Sequence, residues 1–196
     1  MQNLADIMSQ HLESIRLIVK KHSRPLTKSK HDGTPVTELD LELSAFVESI
    51  SQENFPEAYF YSEENFNEWK FPLLALDPLD GTREYIENRP EWALSLGLFE
   101  DENFSGEGWV FNPLTSEVFA METVVKPVEK KVYQGEVSRT EFEKGLYKNF
   151  SSEKFALTPR GSIAYKLGKL SHGKIDFVVS LKPKNIYEYR DWETSP

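Results

Sequence analysis

The chain has 196 residues, 39% hydrophobic and 28% charged, which is enough apolar material for one large folded unit or two small ones sharing a core. Aromatics spread along the whole length, with no low-complexity run, exclude a disordered chain. A net charge of −9 argues against a general nucleic-acid or anionic-membrane binder, and the lack of cysteine leaves oxygen or imidazole as the only ligands for a metal.

Leu4, Ile7, Met8, His11, Leu12, Ile15, Ile18 and Val19 recur at helical spacing and predict one amphipathic helix over residues 3 to 22, ended by Pro25 and the polar run to Gly33. No stretch approaches eighteen apolar residues, and the N-terminus lacks a basic-then-apolar leader, so a soluble, cytoplasmic protein is expected. Thr37 followed by Asp40 has the capping-box arrangement and opens a second helix with Leu39, Leu43, Phe46 and Ile50 on one face. Strand-like runs follow at 58–62, 73–76, 92–99, 109–111 and 117–121, then a helix near 162–171 and a strand near 175–180. No internal repeat is present, and this order predicts an α+β protein of layered helices and sheets.

The apolar run Phe71 to Leu76 suits a buried strand, and Asp77-Pro78-Leu79-Asp80-Gly81-Thr82 follows at once, delivering two carboxylates where Pro78 is expected to stop the ladder. Gly81 permits close backbone approach to a ligand, and Thr82 to Ile86 can start a helix whose first N–H groups suit phosphate. The plainer alternative is a strand–turn–helix with Asp80 as N-cap and Asp77 in a side-chain turn. More carboxylates stand nearby in the order of elements: Asp40, and the pair Glu63-Glu64 after the 58–62 strand. A capping role alone would account for Asp40, and a solvated loop for the pair. Between Lys154 and Arg190 there are eight Lys/Arg against two Asp/Glu, either a solvated basic face or a surface that helps hold an anionic ligand through residues such as Lys166 and Lys182. His11, His22, His31 and His172 form no ligand spacing.

Val36-Thr37-Glu38-Leu39-Asp40, Ser62-Glu63-Glu64, Asp77-Pro78-Leu79-Asp80-Gly81-Thr82 and Gly161-Ser162-Ile163-Ala164 occur in the order and rough spacing of the inositol monophosphatase superfamily, which the chain resembles over essentially its whole length. Asp80-Gly81-Thr82-Arg83-Glu84-Tyr85-Ile86 and Lys30-His31-Asp32-Gly33-Thr34-Pro35-Val36-Thr37 are similar to the CysQ-like branch of 3′(2′),5′-bisphosphate nucleotidases. The resemblance implies a layered αβαβα sugar-phosphatase fold, with residues 1–125 carrying the metal-site half and 126–196 a partial second half packed on it as one unit.

It also implies a magnesium-dependent, lithium-sensitive phosphatase acting on a small phosphorylated metabolite through metal-activated water. Glu63, Asp77 and the Leu79 carbonyl would hold one Mg²⁺, and Asp77 with Asp80 a second. Asp40 would assist a weaker third ion, and Thr82 with Glu63 would orient the water. Gly81 and Thr82 would receive the phosphate, with Gly161, Ser162 and Lys166 near the sugar. Such a site needs only oxygen ligands, in keeping with a chain that has no cysteine and no Gly-x-x-x-x-Gly-Lys-Ser/Thr loop.

The late metal ligand of the family falls in Tyr187-Glu188-Tyr189-Arg190-Asp191-Trp192-Glu193, where either Asp191 or Glu193 can be aligned to it. Family members continue beyond the point matched by Pro196, so the resemblance implies a C-terminally shortened fold, either a fragment or a short form completed by homo-oligomerisation. The first expectation is conversion of 3′-phosphoadenosine 5′-phosphate to AMP and phosphate, the second an inositol or sugar monophosphatase, and the third a non-catalytic relative that binds metal or anion.

Overall fold

The computed structural model describes residues 3–22, 27–29, 35–63, 70–103, 105–120, 128–150 and 153–181. Where the apolar spacing predicts one N-terminal helix, the chain forms two, α1 (Leu4–Ser9) and α2 (Leu12–Lys21). The Asn3 side chain caps α1 by accepting from the Asp6 N–H at 2.7 Å. The N–H groups of Gln10 and His11 then turn back to the carbonyls of Ile7 and Met8, an i→i+3 closure tighter than the helical one. This break lets Leu4, Ile7 and Met8 bury against the sheet while His11 sets its ring edge-on to Phe46, 5.9 Å away.

A short antiparallel pair, β1 (Thr27–Ser29) and β2 (Pro35–Thr37), leads into α3 (Glu38–Asn54). Both halves of the expected capping box at Thr37 and Asp40 are made. Next come β3 (Tyr59–Ser62), β4 (Leu73–Asp80), α4 (Thr82–Ile86), β5 (Ala93–Phe99), β6 (Gly106–Asn112) and β7 (Glu117–Ala120). The five strands form one sheet in sequence order, with β3 and β4 parallel and the others antiparallel. A second sheet, wholly parallel and ordered β10-β8-β9, is made by β8 (Tyr133–Ser138), β9 (Phe155–Arg160) and β10 (Phe177–Val179). It carries α5 (Arg139–Glu143) after β8 and α6 (Ile163–Ser171) between β9 and β10.

Alternation along the strands sorts the layers. Leu74, Leu76, Leu94, Leu96, Trp109 and Phe111 point to one face of the five-stranded sheet and bury against Ile15, Leu39, Leu43 and Val47 of the helices there. Ala93 and Phe119 point to the other face and bury with Tyr165 of α6. The edge of α6 is fastened by Glu117, whose carboxylate accepts from the Tyr165 hydroxyl and, at 2.7 Å, from Lys174 Nζ. Partial burial opposes the charge on Glu117, but the bonds from Lys174, Tyr165 and Thr115 outweigh it and hold the carboxyl down to about 2. Helices, sheet, helix and sheet therefore stack in layers. Among the described residues no helix is long and apolar enough to cross a membrane.

Candidate active site

Three elements deliver carboxylates to one end of the first sheet. β3 and β4 run parallel in register from Tyr59 opposite Leu73 to Ser62 opposite Leu76, so Glu63 and Asp77 leave that register side by side, and the Glu63 N–H still bonds the Leu76 carbonyl at 3.1 Å. The ladder does not stop at Pro78, as the sequence suggested. β4 continues to Asp80, with Asp77 opposite Ser95 and Asp80 opposite Ala93 and a register shift between them. Proline, which has no N–H to give, is tolerated where the ladder is irregular. The irregularity is closed locally by the Leu79 N–H, which donates to Asp77 Oδ1 at 3.0 Å.

Asp80 is not the N-cap of α4. That position is taken by Gly81 at φ +98°, and the Asp80 carboxylate reaches across to α6, where Oδ2 accepts from Ser162 Oγ and from the Ala164 N–H, each at 2.6 Å. An anionic oxygen at the N-terminus of α6 satisfies an otherwise open donor and is favoured by the helix dipole. Ser162 also accepts from the Tyr165 N–H at 3.0 Å and sits at φ +40°, a conformation L side chains adopt at a cost. Replacing Ser162 by Ala removes a charge-assisted bond to Asp80 and the cap of α6. We expect affinity for a divalent cation to fall about 10- to 100-fold, read by calorimetric titration of the cation.

The electrostatics gather on Asp77. Burial, then the charges of Asp80 and Glu63, hold its carboxyl well above the ordinary carboxylate range; the Leu79 N–H opposes this and Asp40 adds to it. Asp40 is buried, and its Oδ2 accepts from the Thr37 N–H at 2.8 Å, so its capping role and its proximity to the cluster coexist. Among the described residues no group of three or more His, Asp or Glu side chains is arranged to hold a single ion. The residues nonetheless fit a hard divalent cation: the donors are carboxylates and a peptide carbonyl, and their mutual repulsion at Asp77 is what a cation relieves. The Leu79 carbonyl already accepts from Thr82 Oγ1 at 3.2 Å, which ties the threonine to the same turn. Asp191, Glu193, Glu64 and Lys182 lie outside the described residues.

Beside this cluster opens a cavity of about 230 Å³, lined by Gly81, Thr82, Arg139, Arg160, Ser162 and Lys166 among others. Gly161 belongs to it too, and a Cβ there would meet the Glu84 carboxyl carbon at 2.0 Å, so only glycine lets the buried Glu84 pack in. Lys166 is 2% exposed and donates to the Arg160 carbonyl at 3.4 Å. The basic stretch of the sequence is thus divided. Arg160 and Lys166 face the cavity, while Lys169 pairs with Glu136 and Lys174 with Glu117.

Sequence reasoning missed Glu84, Glu91, Glu136 and Arg139. Glu91 accepts from both Arg139 and Arg160, and Arg160 also donates to Glu136 at 2.9 Å, a run of alternating charge between the two sheets. These partners stand up to 69 positions apart, and nothing in local spacing marks them.

A profile of the inositol monophosphatase family matches residues 2–189. The 3′(2′),5′-bisphosphate nucleotidase CysQ of Aggregatibacter actinomycetemcomitans is 31% identical over 109 residues, which span 52% of this chain and 39% of that protein. The chain thus matches well under half the length of this curated relative. Among solved structures, the Thermotoga maritima IMPase superposes with a TM-score of 0.73 at 20% identity, covering 89% of this chain and 76% of that one. An IMPase/NADP phosphatase complexed with Mg²⁺ and phosphate gives a TM-score of 0.67 at 16% identity, covering 88% and 72%. The layered sugar-phosphatase fold is shared with both.

Proposed function

Since the chain belongs to the inositol monophosphatase family, we propose that it is a Mg²⁺-dependent phosphomonoesterase, and that its substrate is a 3′(2′),5′-bisphosphate nucleotide such as 3′-phosphoadenosine 5′-phosphate, released as AMP and phosphate. The observation that carries this reading is the oxygen-only cluster around Asp77, whose carboxyl is held up by burial and by the charges of Asp80 and Glu63, set against a cavity with Arg139, Arg160 and Lys166 on its wall. The likeness to a CysQ nucleotidase supports the substrate, and the Mg²⁺ and phosphate held by a protein of the same fold support the cofactor.

In this reading Glu63, Asp77 and the Leu79 carbonyl hold one ion, Asp77 and Asp80 a second, and Asp40 assists a weaker third. Bound Mg²⁺ supplies neutralisation of phosphoryl oxygens and acidifies water. The chain supplies the rest. Thr82, tethered to the Leu79 carbonyl, orients the attacking water together with Glu63. Gly81 and Thr82 offer backbone N–H groups to the phosphate, and Gly161, Ser162 and Lys166 line the wall that faces the sugar. Inhibition by Li⁺ belongs to the same reading.

Phosphate release from 3′-phosphoadenosine 5′-phosphate and from inositol 1-phosphate, each with Mg²⁺ present or chelated, tests both levels. We expect Mg²⁺-dependent turnover with the bisphosphate nucleotide preferred. Preference for inositol 1-phosphate would move the assignment to an inositol or sugar monophosphatase, and no turnover on either would leave a non-catalytic binder of metal or anion.

A further inference from the structure

We infer that Glu91 is a positioning residue for the turn that receives the phosphate; the inference rests on the reading above. The Glu91 side chain is 14% exposed, with Oε1 accepting from Arg160 Nη1 at 3.1 Å and Oε2 from Arg139 Nη2. Its backbone works in the opposite direction. A Cβ placed on Gly81 would lie 3.3 Å from the Glu91 carbonyl oxygen and 3.0 Å from Trp92 Cβ, so the segment just before β5 backs directly onto Gly81.

The two guanidiniums come from the second sheet and the helix that follows its first strand. Arg139 follows the end of β8, and Arg160 ends β9 immediately before Gly161 and Ser162, whose Oγ orients Asp80. One carboxylate therefore fixes three things together: the backing of Gly81, the strand end that carries Ser162 to Asp80, and the aim of two cations lining the cavity. The Arg160 guanidinium is held on its other side by Glu136, which also pairs with Lys169. Among the described residues, Glu91 joins this run of ion pairs to the segment behind Gly81, while Glu84, 3.8 Å from Arg139, joins it to α4 on the other side of the turn.

Geometry and charge make opposite predictions here. If Glu91 merely lowered the local positive potential, neutralising it would tighten anion binding in the cavity. If it positions the turn, neutralising it misplaces Gly81 and Asp80, and a shift of about 1 Å is costly at such a site.

The experiment is calorimetric titration of inorganic phosphate in the presence of Mg²⁺, with kcat/KM measured alongside, for the wild-type chain, Glu91→Gln, Glu91→Asp and Lys169→Gln. We expect Glu91→Gln to weaken phosphate about tenfold or more and to lower kcat/KM. Glu91→Asp, which keeps the charge but shortens the arm, should fall between it and wild type. Lys169→Gln, which opens the far end of the ion-pair run without touching the Gly81 side, should bind phosphate as wild type does. Unchanged or tighter phosphate on Glu91→Gln, or an equal loss on Lys169→Gln, overturns the inference. A folded wild-type chain that binds no phosphate overturns the functional reading itself and the inference with it.

Discussion

Replacing Asp77 by Asn is expected to raise the melting temperature of the metal-free protein and to remove nearly all of the proposed turnover. The carboxyl is held above its ordinary range by burial and by Asp80 and Glu63, so the fold favours its protonated form. The sign follows from that. Below the unfolded carboxyl value, near 3.8, the group costs nothing. As pH rises from there through the raised folded value, the unfolded state ionises freely and the folded state does so against repulsion, so stability is lost and stays lost at neutral pH. Asn retains the oxygen that accepts from the Leu79 N–H, so the turn persists while the repulsion goes.

Relief of an uncompensated enclosed charge is worth about 1 to 3 kcal/mol, or roughly 3–8 °C for a chain of this size. The gain should shrink as pH is lowered toward 4. Added Mg²⁺ should then raise the melting temperature of the wild type, by about 2.7 kcal/mol of stability at a hundredfold excess over its dissociation constant, and do little for the variant. Turnover should fall by about 10³-fold or more, since a ligand of the phosphoryl-neutralising ions is gone. Differential scanning fluorimetry across pH, with and without Mg²⁺, checks every part. A variant no more stable than wild type without metal at pH 7 would contradict the repulsion at Asp77.

Gly81→Ala is expected to damage fold and chemistry together. Gly81 occupies φ +98°, ψ 41°, which costs an L-residue about 1 to 2 kcal/mol, and its new methyl would press on Trp92 Cβ at 3.0 Å and the Glu91 carbonyl at 3.3 Å. Neither neighbour gives easily: one is backbone and the other the root of a fully buried indole. The turn must therefore move, carrying the N–H groups of Gly81 and Thr82 with it. We expect a melting temperature lower by about 3–8 °C and kcat/KM lower by about 100-fold. Gly108→Ala is the control. A Cβ there meets nothing within 4 Å, and both properties should stay near wild type.

Much of the first sheet and its helices could be read from local patterning. The Thr37 and Asp40 pair announced α3 because a capping box is made within one turn, and Leu39, Leu43 and Ile50 recur on the face that buries. Less legible was the second sheet. Tyr133–Ser138 mixes Gln134, Gly135 and Glu136 among its residues, and its strand identity rests on partners elsewhere: a Cβ on Gly135 would meet the Phe177 ring at 2.2 Å, and the buried Glu136 is matched by Arg160, with Lys169 beside it. The first helix was overextended for a related reason. Apolar spacing carries straight through Gln10 and His11, but α1 must turn so that Leu4 reaches the sheet, where its N–H finds Glu107 Oε2 at 2.6 Å.

By itself the sequence determined the chemistry that is possible: oxygen ligands only, two aspartates flanking Pro78 and Leu79, and a glycine where the chain must turn left-handed. These are properties of residue type and of spacing within a few positions, and local sterics and hydrogen bonding act over that range. Only the tertiary structure decided that β4 runs on past Pro78, that Asp80 serves α6 rather than α4, and that Glu91 stands between the turn and the arginines at the ends of β8 and β9, Arg139 opening α5 and Arg160 closing β9. Each of those outcomes depends on groups brought together from distant parts of the chain, where burial makes an unmatched charge or donor too costly to leave.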